Sequence, residues 1–417
     1  MSKRRVVVTG LGAVTPVGNN VQAFWESVKT GKVGIGEITR FDTADFKVKL
    51  AAEVKNFNAE LYVDKKDLKR NDMFSIIAIA AAQQAFDMAG LVKEEIKEEE
   101  AERFGCIVGS GIGGFLTLEN QVSRVLEKGP GKISPLFIPM AILNMAAGNI
   151  SLKFGAKGVC EAVVTACASG TNNIGEAFRY IKHGYADMCF AGGSECAITK
   201  TGVAGFTNLT ALSTENDPNT ACKPFDKNRN GFVLGEGAGI VMLEELEHAK
   251  KRGAKIYAEV VGYGATGDAY HITAPCEDGD GAARAMKLAI DEAGISPKDV
   301  GYINAHGTST KANDLAETKA IKKALGDYAY NVPVSSTKSM TGHMLGATGA
   351  VEAIICAKAL EEGYIPPTIN YSEKDEECDL DYVPNKGRKA DIKYALSNSL
   401  GFGGHNAVLC LKKWEGK

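Results

Sequence analysis

Ten cysteines and six histidines occur in the 417 residues, and three of them stand where chemistry could be done. Cys167 lies in AVVTACASGTNNIG (162–175), where a β-prone apolar run gives way to small residues and then to a segment able to coil. If a strand ends at Thr165 and a helix starts near Cys167, the thiol sits at a helix N-terminus, where free N–H groups and the positive dipole end favour thiolate. That effect is roughly 0.3–1 kcal/mol against about 1.4 kcal/mol per pKa unit, so a thiol near pKa ~8.5 drops by about one unit. Thiolate chemistry then needs a histidine or a further N–H. Ala166, Ala168, Ser169 and Gly170 leave room for an acyl group, and the N–H groups of the turn could receive an oxyanion. On this turn alone, a buried structural cysteine reads at least as well.

The histidines shift that balance. His306 in NAHGTST and His343 in STKSMTGHMLGATG both fall in glycine-rich segments at expected strand ends, whereas His183, His248 and His271 read as surface or loop residues. A lone histidine is usually structural; two at equivalent-looking turns beside a thiol turn favour a functional reading. Lys338, five residues before His343, could orient an imidazole or a carboxylate if buried. Glu352, in the helix expected after His343, is its counter-ion, because an unpaired buried charge is costly.

The elements that must hold these groups alternate short apolar runs with helical segments, which predicts an α/β fold with buried strands. Strands are expected at RRVVVTG, GCIVGSG, DMCFAGG, GIVMLEEL, AEVVGYG, YINAHG, VPVSST and NAVLCLK. Helices are expected near 72–90, 171–183, 281–293, 314–325 and 349–361, and KEEIKEEEAER (93–103) as a solvated helix or loop without a partner. Four stretches echo in the same order: VVVTGLGAVTPVG with AEVVGYGATGDAYH, IVGSGIGG with INAHGTST, AVVTACASGTNNIGEA with VSSTKSMTGHMLGATGAVEA, and GFVLGEGAGIVMLE with NSLGFGGHNAVLCL. This predicts a duplication with halves 1–255 and 256–417. Net charge −3 argues against a nucleic-acid partner. No stretch approaches the ~20 apolar residues of a membrane span, and the N-terminal apolar run is too short for a signal peptide. Ten scattered cysteines without C-x-x-C pairs point to reduced thiols and a cytoplasmic setting.

The set TACASG, NAHGTST, STKSMTGHMLGATGAVEA and NSLGFGGHNAV resembles the β-ketoacyl-[acyl-carrier-protein] synthases, the condensing enzymes of fatty acid synthesis. The similarity runs from GLGAVTPVG to GFGGHNA, and GFVLGEGAG and DAYHITAP resemble the elongating synthase II type. The resemblance implies a thiolase-like fold, five layered (α-β-α-β-α) from two duplicated halves, forming a homodimer. It implies Cys167 as nucleophile, His306 and His343 as the catalytic histidines, and Lys338 with Glu352 as a supporting pair. Phe402 matches a mobile gate whose N–H shares an oxyanion hole with that of Cys167, and Ile112 and Phe206 match positions along an acyl pocket. Asp314 is expected to start a helix or to support the His306 loop from behind. His405 departs from the pattern, since many members carry threonine there, and a structural role is expected of it.

The implied reaction is decarboxylative condensation of a Cys-bound acyl group with malonyl-acyl carrier protein, with no metal or organic cofactor. Lys66, Lys69 and Arg70 in DKKDLKRND match a basic docking stretch for the carrier protein, although interleaved aspartates also suit plain solvated surface. Thiolases carry a second cysteine in the GFGG region and initiating synthases an asparagine at the second histidine; this chain has neither. The alternatives are a polyketide-type ketosynthase, a non-catalytic chain-length-factor-like partner, which should lack the nucleophile, and a cysteine hydrolase. A chain without fused carrier or transferase domains favours the dissociated fatty acid system.

Overall fold

The computed structural model describes residues 4–416. Its main sheet has ten strands: β1 (Val6–Val14), β2 (Phe104–Gly109), β3 (Cys160–Glu161), β4 (Met188–Glu195), β5 (Gly237–Glu245), β6 (Ala258–Gly267), β7 (Val300–Asn304), β8 (Val334–Ser335), β9 (Tyr394–Gly401) and β10 (His405–Lys413). From edge to centre the first five run 3-2-4-5-1, and the last five repeat that order as 8-7-9-10-6. Directions repeat too: β2 is parallel to β3 and β4, as β7 is to β8 and β9. The fifth strand of each set, β5 or β10, is antiparallel to both of its neighbours. Antiparallel pairing of Val6–Val8 with Ala258–Val260 joins the two sets.

Five helices complete the layers: α1 (Met73–Met88), α2 (Ser169–Lys182), α3 (Asp280–Ala293), α4 (Lys311–Leu325) and α5 (Thr348–Glu362). The central pair, α2 and α5, pack on each other and on strands of both sets. Outside them, α1 covers β1 and β5, while α3, with α4 beside it, covers β6 and β10. The order is α-β-α-β-α. A strand covered on both faces must be apolar throughout, and all nine residues of β1 are buried. A helix between two sheets must be apolar all round; α5 is buried from Thr348 to Leu360 except at Lys358.

The sequence echoes become contacts. Gly10 and Gly12 let β1 lie directly on α1, since a Cβ there would fall 2.0 and 1.8 Å from the carbonyl oxygens of Ala85 and Ala81. Gly262 and Gly264 repeat this on β6, with a Cβ 2.0 Å from the carbonyls of Ala289 and Ala285.

Two expectations fail locally. Ala162–Thr165 is irregular rather than a strand, because side chains of α2 take its backbone bonds. Val163 N–H donates to Asn173 Oδ1 at 2.9 Å, its carbonyl accepts from Asn173 Nδ2 at 3.0 Å, and Thr165 N–H donates to Ser169 Oγ at 2.9 Å. The acidic 93–103 stretch forms a 3₁₀ turn (Lys93–Glu95) and one helical turn (Glu98–Ala101), and it does find partners: Glu98 meets Lys157, and Glu100 lies 3.1 Å from His248.

Candidate active site

The turn that carries Cys167 is built by strain and repaid by hydrogen bonds. Ala166 has φ +50°, a left-handed conformation that costs a residue with a Cβ roughly 1–2 kcal/mol. Ser169 Oγ offsets this by donating to the Ala166 carbonyl at 2.7 Å while receiving Thr165 N–H. A 3₁₀ turn, Ala166–Ala168, then carries Cys167 into α2 with 7% of its surface exposed. The other half repeats the device: Leu345 has φ +44°, and Leu345–Ala347 leads into α5.

His343 stands just before that second turn, its N–H donating to the Val233 carbonyl at 2.7 Å and its Nδ1 3.1 Å from Thr348 Oγ1. His306 follows β7, and the N–H groups of His306 and Gly307 donate to Glu317 at 2.8 and 2.7 Å. The two imidazoles meet edge to face, centroids 5.3 Å apart at 84°. Cys167, His306, His343, Phe206 and Phe402 line one cavity of about 350 Å³. Aromatic contacts chain its wall together: Phe402 to Phe206 at 6.5 Å, Phe206 to Phe232 at 5.6 Å, and Phe232 to His343 at 5.2 Å.

Burial sets the electrostatics. It pushes the Cys167 thiol up to about 12, opposed by the Lys338 charge and by the N–H groups of Phe402 and Cys167. The lowering expected from the helix terminus is outweighed, so the resting thiol is protonated. Burial also holds both histidines well below 6.5, and Lys338 adds to this at each. They are free bases at neutral pH, each with one N–H to give and one nitrogen to receive. Lys338 itself is fully buried against Glu352, Nζ to Oε1 2.6 Å, and burial pushes that carboxyl up to about 7 despite the ammonium beside it.

Other expected residues lie further out. Ile112 packs in the apolar cluster of Cys167 but does not line the cavity. Asp314 is buried in the first turn of α4, accepting from Phe225 N–H at 2.8 Å, with Arg229 3.6 Å away. His405 is exposed and starts β10; a Cβ on Gly403 would lie 3.0 Å from its Nε2, so the ring folds over the turn that carries Phe402. Lys66, Lys69 and Arg70 border a separate open depression beside Leu136.

Sequence reasoning missed Glu317 and Glu195, both fully buried. Glu317 sits three residues after Asp314 on one helix face, a spacing that could have flagged it; nothing comparable marks Glu195. Asn304 Oδ1, Glu352 Oε2 and Asn398 Oδ1 are buried without hydrogen-bond partners among the described residues. No group of three or more His, Cys, Asp or Glu among the described residues is arranged to hold a metal ion.

Residues 3–249 match the family model for the β-ketoacyl synthase N-terminal domain, and residues 257–372 that for the C-terminal domain. The chain belongs to the β-ketoacyl synthase family. Among its relatives, the 3-oxoacyl-[acyl-carrier-protein] synthase 2 of Staphylococcus aureus (strain COL) is 55% identical over 412 residues, 99% of each chain. The protein of that name from Synechocystis sp. is 54% identical over 416 residues, 100% of this chain and 99% of its own. Among solved structures, a type II polyketide acyl-carrier protein in complex with its ketosynthase, bound to the hexaketide, superposes with TM-score 0.91 at 36% identity. That match covers 99% of this chain and 100% of the other. This member therefore has the thiolase-like ketosynthase fold.

Proposed function

We propose that this chain extends acyl groups by decarboxylative Claisen condensation, as an acyltransferase of fatty acid elongation. The observation that carries the mechanism is one cavity holding a thiol on a strained turn and two imidazoles that burial keeps neutral.

Cys167 Sγ attacks the carbonyl carbon of an acyl-carrier thioester, and its proton passes to an imidazole nitrogen. The N–H groups of Cys167 and Phe402 receive the tetrahedral oxygen. The bond to the pantetheine sulfur breaks and that sulfur takes the proton, leaving an acyl-cysteine and a free carrier thiol. Malonyl-carrier protein then loses CO2, and the electron pair of the broken C–C bond enters an enolate whose oxygen accepts N–H bonds from His306 and His343. The enolate carbon attacks the acyl-cysteine carbonyl. The C–S bond breaks, the Cys167 thiolate takes up a proton from solvent, and 3-oxoacyl-carrier protein leaves two carbons longer. Phe402 at the cavity mouth gates entry, with Phe206 and the nearby Ile112 shaping the acyl channel. Loss of the carboxylate drives the condensation, so no step draws on a metal or organic cofactor.

The partner is an acyl carrier protein, which the ketosynthase neighbour solved with its carrier supports; it docks at Lys66, Lys69 and Arg70, the basic stretch of the surface depression beside Leu136. The chain works as a homodimer, for which the support is exposed apolar surface at Leu126, Leu152 and Ile138, 81, 76 and 58% exposed, together with the open edge strand β3. A cytoplasmic site suits ten cysteines that are all free thiols. No helix among the described residues is long and apolar enough to cross a membrane. Residues 1–255 and 256–417 form the duplicated halves, as the repeated strand order supports. A polyketide-type ketosynthase is the second reading, favoured by the hexaketide-bound neighbour. A chain-length-factor role conflicts with the presence of Cys167.

The test gives acyl-loaded enzyme malonyl-carrier protein and reads products by mass. A 3-oxoacyl chain two carbons longer is expected, and release as free acid would point to a hydrolase. In the same assay, Lys69→Glu with Arg70→Glu should raise KM for carrier-bound substrate and spare small thioesters; equal loss on both would refute the docking site.

A further inference from the structure

Glu195 ends β4 where three loops of the site converge, and its side chain is fully buried. Oε1 accepts from Ser110 Oγ at 2.7 Å and Ile112 N–H at 3.1 Å. Oε2 accepts from Gly111 N–H at 2.7 Å and Gly346 N–H at 3.0 Å. Three of these donors belong to the loop after β2 that carries Ile112. The fourth belongs to the turn between His343 and its partner Thr348. The junction admits nothing larger: a Cβ on Gly346 would fall 2.3 Å from Gly111 N, and one on Gly193 2.3 Å from the Gly346 carbonyl. The carbonyl of Ala166, the strained residue ahead of Cys167, faces the same spot, 3.5 Å from where a Gly111 Cβ would stand.

No cation pairs with Glu195 among the described residues. Four donors fill its oxygens instead, the arrangement that favours an ionised carboxylate although burial pulls the other way. Its charge acts on Cys167 against that of Lys338. Simple apolar packing would also bring these loops together, but it would not fix the register of three backbone N–H groups and a hydroxyl around one point.

We propose that Glu195 is a positioning residue that pins the Ile112 loop to the His343 turn, beside the turn that carries Cys167. One carboxylate thereby couples acyl-length discrimination to placement of the catalytic histidine. This rests on the condensing function proposed above. Glutamine in its place keeps one acceptor and sets its NH2 group against either Ile112 N–H or the N–H groups of Gly111 and Gly346, so the anchor shared by the two loops is broken.

The experiment compares wild type with Glu195→Gln in the full chain. Self-acylation is measured across short to long acyl-carrier substrates, alongside malonyl-carrier decarboxylation without acyl donor and the pH profile of Cys167 alkylation by iodoacetamide. In Glu195→Gln the ratio between best and worst acyl length should flatten about tenfold, equivalent to about 1.4 kcal/mol. Decarboxylation should fall by a similar factor. The alkylation midpoint should move to lower pH, since loss of a nearby negative charge favours thiolate, whereas Glu195→Asp should hold it near wild type. Uniform loss across chain lengths with an unmoved midpoint would mean a merely structural residue and would overturn the proposal, as would a change in only one of the two activities. Should Glu195→Gln fail to fold, Ser110→Ala removes a single donor and should flatten the same ratio about threefold; an unchanged ratio overturns it. Alkylation needs no acyl substrate, so a failure of the condensing reading shows separately, as absent acylation in wild type.

Discussion

One buried ammonium acts on Cys167 and on both cavity histidines. Lys338 favours the Cys167 thiolate and disfavours protonation of His306 and His343. Lys338→Met should therefore move Cys167 alkylation to higher pH. It should also shift the acid limb of decarboxylation to higher pH, because the histidines, released from a repelling charge, protonate sooner. Glu352, deprived of its partner, should take up a proton rather than remain a lone buried anion. A fall in turnover of about tenfold or more is expected, and unshifted profiles for both thiol and decarboxylation would refute the role. That Cys167, His306 and His343 line one cavity was legible in the sequence, because in each case a polar or thiol side chain stood among glycines and alanines at expected strand ends. Glu195 and Glu317 were not, since a carboxylate that accepts buried backbone N–H groups has the same letter as one in water.

At the scale of elements, the five helices and eight of the ten strands lie where the apolar pattern placed them. What was missed was β9, which lies beside a recognised motif, β3, two residues at the sheet edge, and the helices Val21–Thr30, Phe115–Lys128, Met145–Phe154 and Lys200–Asn208. The Ala162–Thr165 run was misread because Asn173 and Ser169, distant in the pattern but close in the fold, take over its backbone bonds. His248, read as a surface or loop residue, clamps the Glu98–Ala101 turn to β5: Nδ1 lies 2.5 Å from Glu244 and Nε2 3.1 Å from Glu100. Its bond to Glu244 raises its pKa. A raised histidine stabilises the fold fully below its unfolded value of about 6.5, and that contribution is lost as pH climbs through the folded value. His248→Gln should thus lower stability in mild acid, read as a drop in Tm, by about 1 kcal/mol or less for an ion pair whose histidine is partly exposed. The deficit should shrink in alkali; one that grows with pH would contradict the clamp.

The whole molecule is two copies of one plan sharing a middle layer. Strand order, the paired glycines that seat β1 on α1 and β6 on α3, and the twin strained turns at Ala166 and Leu345 all repeat. The copies have diverged in what the turns carry: a thiol in the first, and in the second a glycine with a histidine three residues ahead. Neither half owns its core, because one apolar cluster joins Val8 and Ile174 to Val351 and Leu409. Residues 1–255 expressed alone should show no cooperative thermal transition, with α2 stripped of its cover; a sharp transition would mean that the halves fold independently. The duplication was legible as ordered echoes, whereas the shared layer was not, since no periodicity tells which sheet a helix will face.

The measurement closest to the central claim is intact-protein mass, with peptide mapping, after mixing a medium-chain acyl-carrier protein with wild type and with Cys167→Ala. A single acyl adduct on the peptide bearing Cys167, absent from Cys167→Ala, is the expected result. No adduct at any chain length, or one that persists without Cys167, would contradict the assignment of the nucleophile.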